Sequence, residues 1–158
     1  MILRGFLMSK EALKFFHNWI KEMIDIGGPN LPKAVSTRLG TNLGILYKKR
    51  GISEILLGLR ISYEVLKGTP SIKRVDDTTI KVKIEYSKEF CPIGGGFNKN
   101  KAEIIQESLC YPYTIAFLNS IDPRFNYKGV VRECVLSSNK RFCKYTLKLE
   151  EKNKQKKK

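Results

Sequence analysis

Apolar positions recur along this chain with two different periods. From Ala12 through Phe15, Phe16, Trp19, Ile20 and Met23 they fall three or four residues apart, the stripe of one helix face. Ser9 suits the cap of that helix, Glu11 its first turn, and Gly27-Gly28-Pro29 its end. Pro32 fits the first turn of a second helix, with Val35, Leu39, Leu43, Leu46 and Tyr47 as its apolar face. Gly40 and Gly44, four apart, would let another backbone come close, and the run KKRG closes the helix. Ser53 suits the cap of a third helix carrying Leu56, Leu57, Ile61, Val65 and Leu66 as far as Gly68.

The period then shortens to two. In TTIKVKIEYS, Ile80, Val82, Ile84 and Tyr86 alternate with Lys81, Lys83 and Glu85, the signature of a half-buried antiparallel strand. SIKRV, before Asp76-Asp77, reads as its hairpin partner. CPIGGGFNKNK reads as a flexible loop; its three glycines match no phosphate-binding fingerprint. A fourth helix is predicted from about Lys101 to Ile121, kinked at Pro112, which breaks the hydrogen bond to the carbonyl four residues back. Two strands follow, near 127–136 and 141–149. The pattern predicts an α+β fold, N-terminal helices packed on an antiparallel sheet of about four strands. It would form one domain over 1–150, with a disordered basic tail over 151–158. There is no internal repeat.

A chain of 158 residues, 42% hydrophobic and 28% charged, is the size and composition of one soluble domain. No apolar run approaches the roughly 20 residues of a membrane span. MILRGFLM is too short for a signal-peptide core, so a cytoplasmic location is expected. The net charge is +15; without the five lysines of residues 152–158, 25 basic residues still face 15 acidic ones. A basic surface attracts nucleic acid or anionic membrane without specifying either, and lysine spread along a chain also serves solubility. His17, the single histidine, falls off the first apolar stripe and reads as a surface residue.

Four cysteines are too few and too scattered for a secreted disulfide scaffold. If Ser137-Ser138-Asn139-Lys140 forms the last hairpin turn, Leu136 opposes Arg141 and Cys134 opposes Cys143. Both thiols would point inward, on the face of Tyr145, Leu147 and Leu149. Such a pair is half of a tetrahedral zinc site, which Cys110 and Cys91 could complete. Buried free thiols and a cross-strand disulfide fit the same spacing. Alternation turns Glu133 to the other face unless a bulge intervenes.

The order of these features resembles the vinyl-4-reductase domain family of small-molecule, hydrocarbon-binding domains, over about residues 9–150. The resemblance is carried by STRLGTNLG, VDDTTIKVKIEYSKEFC, ESLCYPYTIAFLNSI and VVRECVLSSNKRFCKYTLKLE. It implies a fold related to Golgi transport-particle subunits and to haem–nitric-oxide sensor domains, an apolar ligand cavity between helices and sheet, and a homodimer. Phenol-sensing regulators with this domain bind zinc through a helix cysteine, a glutamate and two cysteines of the final hairpin. By order, that set implies Cys110, Cys134 and Cys143, with Cys91 or Glu133 as the fourth ligand. Asn139-Lys140 stands where the family often has Gly-Asp, and Glu133 directly precedes Cys134. Pocket walls are expected from Tyr113, Phe117 and Tyr145.

The function expected is therefore binding of a small apolar or aromatic ligand by a dimeric, sensor-like domain with structural zinc, signalling through a regulatory protein partner. No catalytic residue is assigned. A reductase or iron–sulfur protein is one alternative, although no dinucleotide fingerprint is present. Non-specific nucleic-acid binding through the basic surface and tail is another.

Overall fold

Helices and strands occupy separate layers. The computed structural model describes residue 15 and residues 18–152. Ser9, Glu11, Ala12, Phe16 and His17 lie outside the described residues, as do 153–158. Helix α1 covers 18–27 and stops where Gly28 takes a φ of +62°, a value glycine adopts without a steric penalty. It is followed by α2 (Asn30–Lys49) and α3 (Ile55–Val65). The hairpin β1 (Thr69–Asp76) and β2 (Thr79–Glu85) leads through a loop to α4 (Lys99–Ile105). A π-helical segment, Gln106–Cys110, joins α4 to α5 (Tyr111–Ile121). Then come β3 (Phe125–Glu133), the single-turn α6 (Val135–Ser138) and β4 (Phe142–Glu151). The sheet is antiparallel, in the order β1-β2-β4-β3, so the α+β class and four strands expected from the sequence are present.

Helix α2 buries a stripe that is small rather than greasy: Pro32, Ser36, Gly40, Gly44 and Tyr47. A Cβ on Gly40 would collide with the Tyr113 carbonyl oxygen, and one on Gly44 would lie 2.5 Å from Ser120 Cβ and 2.7 Å from the Phe117 carbonyl oxygen. The glycines thus let α2 and α5 meet backbone to backbone. Leu39 and Leu46, expected on the inner face, are exposed for the same reason. In α3 the buried residues are Ile55, Gly58 and Leu59, whereas Leu57 and Val65 are exposed. Its cap is Glu54, not Ser53: the carboxylate accepts from the Leu56 and Leu57 amides at 2.9 and 2.8 Å.

The single helix expected from Lys101 to Ile121 is two helices with a π segment between them. It begins at Lys99, capped by Asn98, whose Oδ1 accepts from the Lys101 amide at 3.2 Å. Pro112 falls in the first turn of α5, where its missing N–H removes no bond of that helix. The widened turn before it takes up the distortion a kink would otherwise have taken.

The final hairpin carries two further departures. A bulge between Val131 and Glu133 leaves Arg132 unpaired. Before it, Val131 opposes Tyr145; after it, Glu133 opposes Lys144. The turn is α6 rather than a tight loop, entered at Cys134 and left at Asn139, whose φ is +52°. β4 runs on through Glu151, and the Lys152 amide donates to the Arg124 carbonyl at 2.9 Å. The folded unit therefore extends past residue 150, into the segment expected to be tail.

Two clusters hold the layers together. One joins Ile80, Val82 and Ile84 of β2 and Leu147 and Leu149 of β4 to Leu59, Phe117, Leu118 and Ile121. The other gathers Ile20, Met23, Cys91, Ala102, Ile105, Leu109, Cys134, Val135 and Leu136.

Candidate functional site: an uncharged cavity with four thiols

Between these two clusters lies a cavity of about 380 Å³. Its floor is the inner face of β4 and β3, with Cys143, Tyr145, Leu147, Gly129 and Val131. Leu59 and Tyr63 of α3 form one wall, and Leu109, Cys110, Thr114 and Phe117 of the π segment and α5 another. Trp19, Leu39 and Val65 line it and are also exposed, so it reaches the surface beside them. Among the described residues, none that lines it carries a charge.

All four cysteines are thiols, and all four line this cavity. They reach it by different routes. Cys143 sits opposite Ile84 on the inward row of the sheet. Cys110 closes the π segment. Cys91 holds a small loop: its N–H donates to the Gly95 carbonyl at 2.8 Å, and its Sγ accepts from the Gly94 amide at 3.3 Å. Cys134 caps α6, its Sγ 3.2 Å from Ser137 Oγ and accepting from Gln106 Nε2 at 2.9 Å. Cys134 does not pair with Cys143 in the ladder, because β3 ends one residue earlier. Removal from water favours the protonated form of three of them: Cys143 is pushed up to about 12, and Cys110 and Cys91 are also raised. The neighbouring cysteines push Cys110 and Cys143 the same way, and the Gly94 amide partly offsets the rise at Cys91.

Glu133 lies elsewhere. Its carboxylate faces Lys140 at 3.5 Å and Lys144 at 3.9 Å, on the opposite face of the sheet, and it does not line the cavity. The bulge at Arg132 decides this: it shifts the alternation by one, turning Cys134 inward and Glu133 outward. Tyr113, Phe117 and Tyr145 all line the cavity. Sequence reasoning did not single out Tyr63, Thr114 or Gln106, which line it too. Tyr63 stands four residues after the buried Leu59, one helical turn along the same face, and that spacing is the signal that could have found it.

No protein-family model matches this chain, and no curated protein matches it in sequence. Among solved structures it is similar to a trafficking protein particle complex subunit 3 from Naegleria fowleri covalently bound to palmitic acid. The TM-score is 0.62 at 8% identity, covering 92% of this chain and 96% of that one. At that identity the likeness shows the fold alone, and the kinship in fold with transport-particle subunits expected from the sequence holds. Among the described residues, no helix is long and apolar enough to cross a membrane.

Proposed function

We propose that this chain is a binding module of the vinyl-4-reductase domain type, dimeric and sensor-like, which holds a small apolar or aromatic ligand between its helices and sheet. The observation that carries this reading is the uncharged cavity of about 380 Å³, within the volume range of small-molecule sites. The similar solved subunit is covalently bound to palmitic acid, an apolar chain, which agrees with this reading. Naphthalene, followed by its fluorescence, is the test ligand. One molecule is expected to bind per chain, and Val131→Trp, which fills the cavity, is expected to abolish binding while leaving the circular dichroism unchanged. No binding by the unaltered chain overturns the reading.

Two further parts of the proposal have separate support. Dimerisation would cover apolar side chains that α2 leaves exposed, among them Leu31, Leu39, Ile45 and Leu46; light scattering at micromolar concentration tests it, and a monomer refutes it. Structural zinc is supported by the meeting of four thiols at one cavity. As arranged, no group of three or more potential ligands is set to hold a metal ion among the described residues. Zinc would therefore have to draw Cys134 and Cys91 away from their present hydrogen bonds. Elemental analysis of the purified chain beside Cys143→Ser checks this: stoichiometric zinc lost in the variant supports the site, and no metal in either removes it.

A second reading, polyanion binding, is favoured by the lysines of the outer sheet face, where Lys73 opposes Lys81, Lys83 opposes Lys144 and Lys128 opposes Lys148. Salt-sensitive DNA binding that survives deletion of residues 153–158 would support it. Binding that disappears with the deletion would belong to the tail.

A further inference from the structure

The cavity contains a pair of facing phenols that no apolar ligand can satisfy. Tyr63 of α3 and Tyr145 of β4 bring their hydroxyls within 2.5 Å of each other from opposite walls. Their rings are 6.4 Å apart and inclined at 63°, so the hydroxyls meet at the tips while the ring faces pack on apolar neighbours. Thr114 of α5 lies beside Tyr63 and lines the cavity as well. Each hydroxyl brings one proton and two lone pairs. Two phenols joined by one hydrogen bond use one of their two protons. Neither phenol makes a further hydrogen bond within 3.5 Å among the described residues, which leaves the other proton unused. Burial holds both phenols neutral, so they remain donors over the whole physiological pH range. An unused donor in an apolar enclosure costs free energy that a ligand acceptor recovers. A carboxylate would bring an acceptor too, but with a full charge, and among the described residues nothing cationic lines the cavity to receive it.

Resting on the cavity-binding reading above, we propose that the Tyr63–Tyr145 hydroxyl pair, with Thr114 beside it, is the polar end of the site, and that it selects an uncharged, largely apolar ligand bearing one hydrogen-bond acceptor, such as a ketone, aldehyde, ester or ether oxygen. Tyr63 and Tyr145 are then specificity determinants, and the largely apolar remainder of the lining supplies contact area.

Three probes of nearly equal shape test this: 2-acetylnaphthalene, 2-ethylnaphthalene and 2-naphthoate, titrated into the full-length chain at pH 7. The acetyl compound is expected to bind about tenfold more tightly than the ethyl compound, the scale of one hydrogen bond. The naphthoate is expected not to bind at the same concentrations. In Tyr63→Phe/Tyr145→Phe, which keeps both rings, the ethyl compound should bind as before and the acetyl preference should vanish. Equal affinity for the acetyl and ethyl compounds in the unaltered chain overturns the proposal but leaves the cavity reading intact. So does a preference that persists in the double variant, or naphthoate binding as tightly as the ketone. Failure of all three probes to bind overturns both. If the double variant does not fold, the three-probe comparison on the unaltered chain decides.

Discussion

The two faces of the sheet are built from the same four strands in one register, yet their cross-strand neighbours do opposite things. On the inner face Ile80 opposes Leu147, Val82 opposes Tyr145 and Ile84 opposes Cys143, and each contact removes apolar surface from water. On the outer face lysine opposes lysine in three places, 73 with 81, 83 with 144 and 128 with 148. Like charges placed directly opposite one another are unfavourable. Some relief comes from Glu85, Glu133 and Glu150, which pair with Lys83, with Lys140 and Lys144, and with Lys128. The Phe142 ring gathers three ammonium groups at 4.6 to 5.4 Å. Register is therefore set from within: a one-residue slip would carry Leu147 and Val82 into water, a loss larger than any relief gained among the lysines.

That contrast can be broken from either side. The largest effect is expected inside. Leu147→Ala removes a side chain buried against β2 and the helices and should cost about 2–5 kcal/mol in urea unfolding. A cost below about 1 kcal/mol would mean that the inner face does not hold the register. Next is pH. Because the Cys143 thiol is raised from its ordinary 9 to about 12 in the fold, its contribution is fully present below pH 9 and is lost as pH rises through about 12. Stability should fall across that alkaline window, and less steeply in Cys143→Ala; identical slopes would refute the assignment. The smallest effect is outside. Lys81→Glu, opposite Lys73, should stabilise the chain by about 0.2–1 kcal/mol at low salt. Raising the salt should erase the gain.

The difference between the faces also explains what the sequence made legible. TTIKVKIEYS alternates without interruption, and its strand, its hairpin partner and its inward residues all stand where the pattern predicts. The helices were legible as helices, but their buried faces less so. Hydrophobic periodicity looks for large side chains, and α2 turns Ser36, Gly40 and Gly44 inward because its neighbour is a backbone. The last hairpin was half legible. Assuming Leu136 opposite Arg141 puts Glu133 opposite Lys144, as observed, and then runs one residue out of step from Val131 backward. Nothing in VVRECV announces a bulge at Arg132, since both registers place valine inside. The convergence of the four thiols on one cavity was approachable from strand alternation for Cys134 and Cys143. For Cys110 it depended on a π turn, and for Cys91 on a loop, which no periodicity encodes.

The π turn at Gln106–Cys110 and the bulge at Arg132 are each an extra residue accommodated without lengthening its element, and both stand at the edge of the cavity. In evolutionary terms the cavity wall is within reach of single-codon insertions and deletions. Losing Arg132 would remove the bulge and let Val131 and Glu133 follow one another in plain alternation, with Glu133 still outward and Cys134 still inward. Losing one residue from 106–110 would let α4 and α5 run on as one regular α-helix, with Cys110 in step with α5. A chain descended by either step would keep its fold and its sheet and alter the cavity only at its edge.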